Sequence, residues 1–313
     1  MLRYTIRRLI ALIPVMFGVA LLIFTILFFT PGDPADLILG NLASEEQKTA
    51  WRDANGLNSS YFAQFGTFIF NLVISGDLGT SFQSGRSVTD TIMQRLPTTF
   101  LLAVTTTAVA SVVGILLGVV AAKYHNTWID MIVRVFGMAG ISMPVFWFGL
   151  LLIILFAVQL RWLPVSGWYG PKYWILPTIA LGLGSASIIL RVTRSSILDC
   201  IRQDYVRTVR AKGQTERKIM RHHILRNALI PIITVVGGCF GAALGGAMIL
   251  EQVFSINGLG RLMVNAIDTR DYPLVRAAVL VLAMGFCLVY LIIDLLYAYV
   301  DPRIRFEFSA KGG

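Results

Sequence analysis

Charge is scarce in this chain. Of 313 residues only 14% are charged while 56% are hydrophobic, where soluble proteins average about 25% charged residues. That shortage excludes a disordered protein and a DNA-binding domain, even though the formal net charge is +10. Cysteine is scarce too. There are three, an odd number, with Cys239 and Cys287 inside apolar runs and Cys200 in a basic stretch; small buried hydrophobes explain them better than a disulfide scaffold does. Motifs for chemistry are missing as well. No G-x-x-x-x-G-K-[ST] stretch is present to bind ATP through a P-loop, and no H-E-x-x-H pattern to bind zinc. The three histidines, His125, His222 and His223, all fall between apolar runs, whereas an intramembrane Ser–His protease needs one at membrane depth. His222-His223 reads as two polar residues of a basic helical stretch rather than as a metal site.

What is abundant is long apolar sequence. Six stretches, at about 9–29, 100–122, 135–158, 174–190, 228–250 and 277–300, approach or exceed the roughly 20 helical residues that a bilayer core requires. The first follows Arg3, Arg7 and Arg8 like a signal peptide, but its run is too long and ends at Thr30-Pro31-Gly32-Asp33 without a small-x-small cleavage site. It is expected to be a retained span. With the N-terminus inside, the inner segments hold 18 basic residues and the outer ones 9, and 10 of the 18 lie in the single segment 191–227. The positive-inside rule therefore places both termini in the cytoplasm. The expected fold class is all-α integral membrane with six transmembrane helices.

Ionisable residues within or beside the spans are few: Arg191, Glu251 and Asp294. All stand near expected span ends, where snorkelling or local pairing accounts for them. An ion-coupled carrier normally shows a buried acid or a broken helix near the midplane, so this pattern counts against a secondary transporter. Small residues, by contrast, are organised. Gly114-x-x-x-Gly118 lies in the second span and Gly237-x-x-x-Gly241-x-x-x-Gly245 in the fifth, and the fourth is rich in Gly and Ser. Such residues let helix backbones approach closely, either within the chain or against a partner subunit. Pro144 removes one helical hydrogen bond and is expected to bend the third span.

The most informative stretch is 191–231. Asp204 can cap a short helix from Tyr205 to Lys212, Gly213 is its natural left-handed stop, Thr215 can cap a second helix to about Leu229, and Pro231 marks the elbow into the fifth span. A merely solvated basic loop needs neither two helices nor Tyr205, Val206 and Val209 on the first. Those side chains call for a surface to dock on, so this is expected to be a partner-docking element.

At this point a resemblance is plain along nearly the whole length. PGDP at 31–34, GDLGTSF at 76–82, SMPVFWFG at 142–149, LPVSG at 163–167, RVTRSSILD at 191–199, DYVRTVRAKG at 204–213, HHILRNALIP at 222–231, FSINGLGRLMVNAIDTRDYPLV at 254–275 and DLLYAYVDPRIR at 294–305 occur in order. Together they resemble the first integral-membrane permease of the dipeptide/oligopeptide/nickel ABC importers. The resemblance implies the type I importer permease fold. It also implies a division into 1–95 (first span and extracytoplasmic segment), 96–300 (permease domain with coupling loop 191–227) and 301–313 (cytoplasmic tail). It makes Tyr205, Val206, Arg207, Val209, Arg210, Lys212 and Gly213 the helix that couples to an ATPase. The general permease signature begins Glu-Ala-Ala where this chain has Arg207-Thr208-Val209, so the role carries over without the glutamate.

The partners so implied are a second, homologous permease forming a heterodimer, two cytoplasmic ATPase subunits, an extracytoplasmic binding protein and the lipid of a bacterial inner membrane. No nucleic acid is implied. No cofactor belongs to this chain; ATP and Mg would be bound by the ATPases. Gly237, Gly241 and Gly245, with Pro144, are the candidates for helix packing or the translocation path. Peptide is the expected cargo, with nickel or a nickel chelate as the alternative. An ion-coupled carrier, or a scaffold without transport, are the readings from other classes.

Overall fold

The computed structural model describes residues 2–40 and 42–300, with side chains described for 5–40 and 42–296; the expected tail 301–313 lies outside them. Among the described residues the chain is helical, with no strand and one isolated bridge between Thr80 and Ser87. Five helices are long and apolar enough to span a membrane, and six spans result if one sharply bent helix pair counts as one.

The helices are α1 (Leu2–Phe29), α2 (Pro34–Leu39), α3 (Glu45–Ala54), α4 (Tyr61–Phe70), α5 (Val88–Lys123), α6 (Trp128–Ser142), α7 (Val145–Leu152), α8 (Pro171–Ile201), α9 (Asp204–Ala211), α10 (Glu216–Lys218), α11 (Leu225–Val253), α12 (Leu259–Asp268) and α13 (Tyr272–Val300). Wide π-helical turns continue three of them, at Asn71–Ser75, Ile153–Gln159 and Ile219–Ile224. Several starts are chemically marked. Asp33 accepts from the Ala35 amide ahead of Pro34, and Ser44 and Gln47 form a reciprocal capping box.

The described residues fall into two compact units: those up to Thr99 with Asn257–Cys287, and Phe100–Ile256 with those from Leu288 onward. In the first, Val88 and Ile92 pack with Leu259, Ala266, Leu274 and Ala278. Its aromatic side chains gather on α1 and α4, with Phe24 within 5.4 Å of the Tyr61 and Phe65 ring centroids. In the second, α8 is the central post, packed by α6, α7 and α11. Gly114 and Gly118 on α5 meet α8 so closely that an added Cβ would stand 2.6 Å from the Ala186 carbonyl oxygen and from Thr193 Cβ respectively. That glycine pair therefore serves packing inside the chain. Apolar side chains such as Ile10, Ile13 and Leu22 on α1 lie exposed, as expected where the solvent is hydrocarbon.

Three expectations need correction. The third span is not gently bent but broken: α6 and the helix from Val145 to Gln159 meet at 104°. The residue before a proline is disfavoured in the α region, and Met143 is extended with φ −84° and ψ 126°. Pro231 is no elbow; α11 runs through it without interruption. Its lost hydrogen bond is tolerable inside a long membrane helix, and the wide turn lies upstream at Ile219–Ile224. The fourth span, expected to be the shortest, is 31 residues long, because its helix continues well past the apolar run.

Candidate functional site: a helix clamped to its own chain

The short helix expected between the fourth and fifth spans is α9. Its N-cap is Gln203, in extended conformation and without a side-chain cap bond, so Asp204 is the first helical residue rather than the cap. Asp204 still places a negative charge in the first turn and Arg210 a positive one in the last, each favoured by the helix dipole. Gly213 has φ +77°, the left-handed value that non-glycine side chains adopt only at a cost. Its amide donates to the Arg210 carbonyl at 3.0 Å, which closes the turn. Thr215 stands at the next N-cap with extended geometry but no side-chain bond.

The docking surface for the apolar side chains of α9 turns out to be the chain itself. Val206 is completely buried with Ile197, Ile219, Ile224, Ala228 and Ile232, and Val209 packs partly against the same cluster. The expectation that Val206 reaches outward is thereby corrected; hydrophobic burial against the π turn and α11 satisfies it internally. Tyr205 adds a polar clasp. Its hydroxyl donates to the His223 carbonyl at 3.4 Å and accepts from Asn227 Nδ2 at 3.0 Å. Partial burial holds the Tyr205 phenol above its ordinary pKa. Arg210 makes a bidentate pair with Glu216, Nε to Oε1 at 2.5 Å and Nη2 to Oε2 at 3.1 Å, which raises the Arg210 pKa further. Arg207, Arg210 and Lys212 remain exposed. The result is a stiff helix, fixed on one face and basic on the other.

A second feature stiffens the same unit, and sequence reasoning missed it. Asp130, in the first turn of α6, is fully buried. It accepts from Arg194 on α8 at both oxygens, 2.7 and 2.8 Å, and from the Asn126 amide at 3.1 Å. Arg134 approaches to 3.5 Å, and His125 Nδ1 lies 3.0 Å from Arg194 Nη2. The only signal in the sequence was Asp130-x-x-x-Arg134 at helical spacing.

In the first unit the family-like motifs converge. Asp271 of RDYP accepts from Ser81 Oγ at 2.5 Å and from the Phe82 amide at 3.0 Å, both in GDLGTSF. Tyr272 donates to the Gly32 carbonyl of PGDP at 3.4 Å, and Asp33 pairs with Arg52. Of the other singled-out residues, Gly237 lies against Ile293 with no room for a Cβ, Gly241 is buried and Gly245 is exposed. Glu251 is fully buried rather than snorkelling. Pro144 caps α7.

Comparison with known proteins shows the family of the chain. The model of the family "Binding-protein-dependent transport system inner membrane component" matches residues 114–306, and its N-terminal counterpart matches 1–103. The chain is 41% identical over 307 residues to the glutathione transport system permease protein GsiC of Escherichia coli (strain K12), covering 98% of this chain and 100% of that one. The same figures hold for GsiC of Salmonella choleraesuis (strain SC-B67). Among solved structures, an inward-facing MetNI methionine ABC transporter has a similar fold, with TM-score 0.58 at 19% identity over 67% of this chain and 96% of that chain. The chain belongs to the binding-protein-dependent transport system inner membrane components: it is a multi-pass inner-membrane permease subunit of an ABC importer, not an enzyme.

Proposed function

We propose that this permease carries di- or oligopeptides, released to it by an extracytoplasmic binding protein, and that α9 is the element through which ATPase subunits drive it. The observation that carries the reading is α9 itself: apolar face sealed by its own chain, left-handed stop at Gly213, and Arg207, Arg210 and Lys212 turned outward. A helix held in this way moves with α8 and α11 as one body. Rigid-body motion between two packed arrangements is how such helices transmit work. Both termini lie in the cytoplasm on this reading, as the 18 basic residues against 9 support. ATP and Mg are bound by two ATPase subunits, and a second, homologous permease completes the pathway. The outer segments, including 30–99 and 251–275, form the proposed binding-protein dock, and 96–300 is the proposed permease domain. Exposed Gly245 and buried Gly241 on α11, with the break at Pro144, are the proposed flank of the translocation path. Peptide cargo is supported by the GsiC relatives, whose named substrate, glutathione, is itself a tripeptide.

ATP-dependent peptide uptake by the reconstituted transporter tests this. Gly213→Pro forces φ to about −65° where the chain needs +77°; Arg210→Glu reverses one outward charge. Each is expected to abolish uptake while the protein still inserts. A third variant, Arg210→Glu with Glu216→Arg, restores the internal pair but not the outward charge, and uptake is expected to stay lost. Wild-type uptake by the single variants overturns the coupling role, and recovery in the swapped pair reassigns Arg210 to folding.

A further inference from the structure

Among the described residues the Arg276 guanidinium of the first unit has no counter-ion. Arg276 lies one turn into α13 and lines a cavity of about 620 Å³. Its guanidinium carbon is 4.8 Å from the Phe68 ring centroid and 5.5 Å from that of Phe24, so aromatic faces stabilise the cation without neutralising it. Its Nε is buried and lacks a hydrogen-bond partner, and among the described residues no carboxylate pairs with it.

Of the other charges on the cavity wall, Arg52 and Asp33 neutralise each other, whereas Asp77 keeps its charge and accepts from the Gly79 amide. With its faces wrapped and Nε enclosed, this guanidinium can offer a ligand only its two terminal Nη groups, and that pair of N–H donors matches a carboxylate or phosphate bidentately. The rest of the wall is mixed, with apolar Leu27 and Phe28 and the amides of Gln64 and Asn71. It suits a ligand with an anionic head and an apolar body. Depth agrees: Phe24 is five residues before the end of α1 and Arg276 four after the start of α13, about 6–8 Å along each helix.

We infer that this cavity binds an oxyanion, the carboxylate or phosphate of a small amphiphile, with Arg276 as its counter-ion. Two sources can offer that chemistry, a membrane lipid headgroup or a soluble acid with an apolar side chain. The inference is independent of the transported cargo.

Binding to the purified transporter complex, followed by native mass spectrometry, separates the sources. One arm titrates dioleoyl-phosphatidylglycerol and the other N-acetyl-phenylalanine. At least one is expected to bind saturably, and the one that does names the source. Arg276→Gln is expected to weaken that binding at least tenfold. Asn71→Asp, which adds a like charge to the ligand's head without disturbing the aromatic wrap, is expected to weaken it as well. If Arg276→Gln fails to assemble, Asn71→Asp decides alone. Saturation by neither probe, or unchanged affinity in the variants that assemble, overturns the inference.

Discussion

At Asp130 two carboxylate oxygens meet Arg194 at 2.7 and 2.8 Å, whereas at Arg276 a guanidinium of the same kind meets two aromatic rings and, among the described residues, no acid. The first arrangement is closed. Its charges are consumed inside the chain, and its effect is to hold α6 to α8 next to the elements that carry α9. The second is open, because the cation keeps donors for something that is not part of the fold. Comparing the two shows how one residue type builds a joint in one place and a receptor in another. What decides is whether an acid arrives from within the chain.

The closed arrangement should be the easier to break. Asp130→Ala leaves the partly exposed Arg194 without its partner, which costs at most about 3–5 kcal/mol. Equilibrium unfolding in detergent would read that loss, and replacing both residues by leucine and methionine should recover most of it. If the single variant is as stable as the wild type, the pair is not a joint. The close approach of α5 to α8 is next. Gly114→Leu places a side chain where even a Cβ stands 2.6 Å from the Ala186 carbonyl, and should destabilise by about 1–3 kcal/mol or more. Val206→Ala removes part of the seal under α9, a loss within the roughly 1.5–3 kcal/mol of burying a valine side chain. Gly213→Ala has open space around it and should cost only the left-handed backbone, about 1–2 kcal/mol.

The smallest effect expected is a pH dependence in the first unit. The hydrogen bond from Lys48 lowers the Asp36 carboxyl below its ordinary 3.8. A lowered carboxyl contributes stability above its unfolded value, and that contribution is lost as pH falls below 3.8. Lys48→Gln should therefore shift local acid melting upward in pH. Trp51, whose ring centroid is 5.2 Å from that of Phe82, provides the fluorescence signal. An unshifted acid transition would show that the pair contributes nothing.

Much of this was readable in the residues. Hydropathy located the five long apolar helices and the bent pair, Gly213 announced its own positive φ, and Pro144 marked the break, though not its 104°. Span ends were harder, because α5 and α8 continue as helix beyond the hydrocarbon run, where Asp90, Arg95 and Arg194 give no apolar signal. Val206 was read correctly as needing a surface; that the surface is Ile219, Ile224 and Ala228 depends on how the π turn folds back. Asp130 and Arg194 are 64 residues apart, and no local pattern joins them. Arg276 stands one residue before the apolar run that marked the last span, so it read as a flanking charge. Its aromatic partners, Phe24 on α1 and Phe68 on α4, lie more than two hundred residues away.

The proposed coupling role of α9 is tested most directly by photo-crosslinking from single positions in the assembled transporter. A benzophenone side chain at Arg207 is predicted to crosslink to an ATPase subunit, and one at Ser59 is predicted not to. Crosslinking to the ATPase from Ser59 and not from Arg207 would contradict both the docking face and the orientation of the chain.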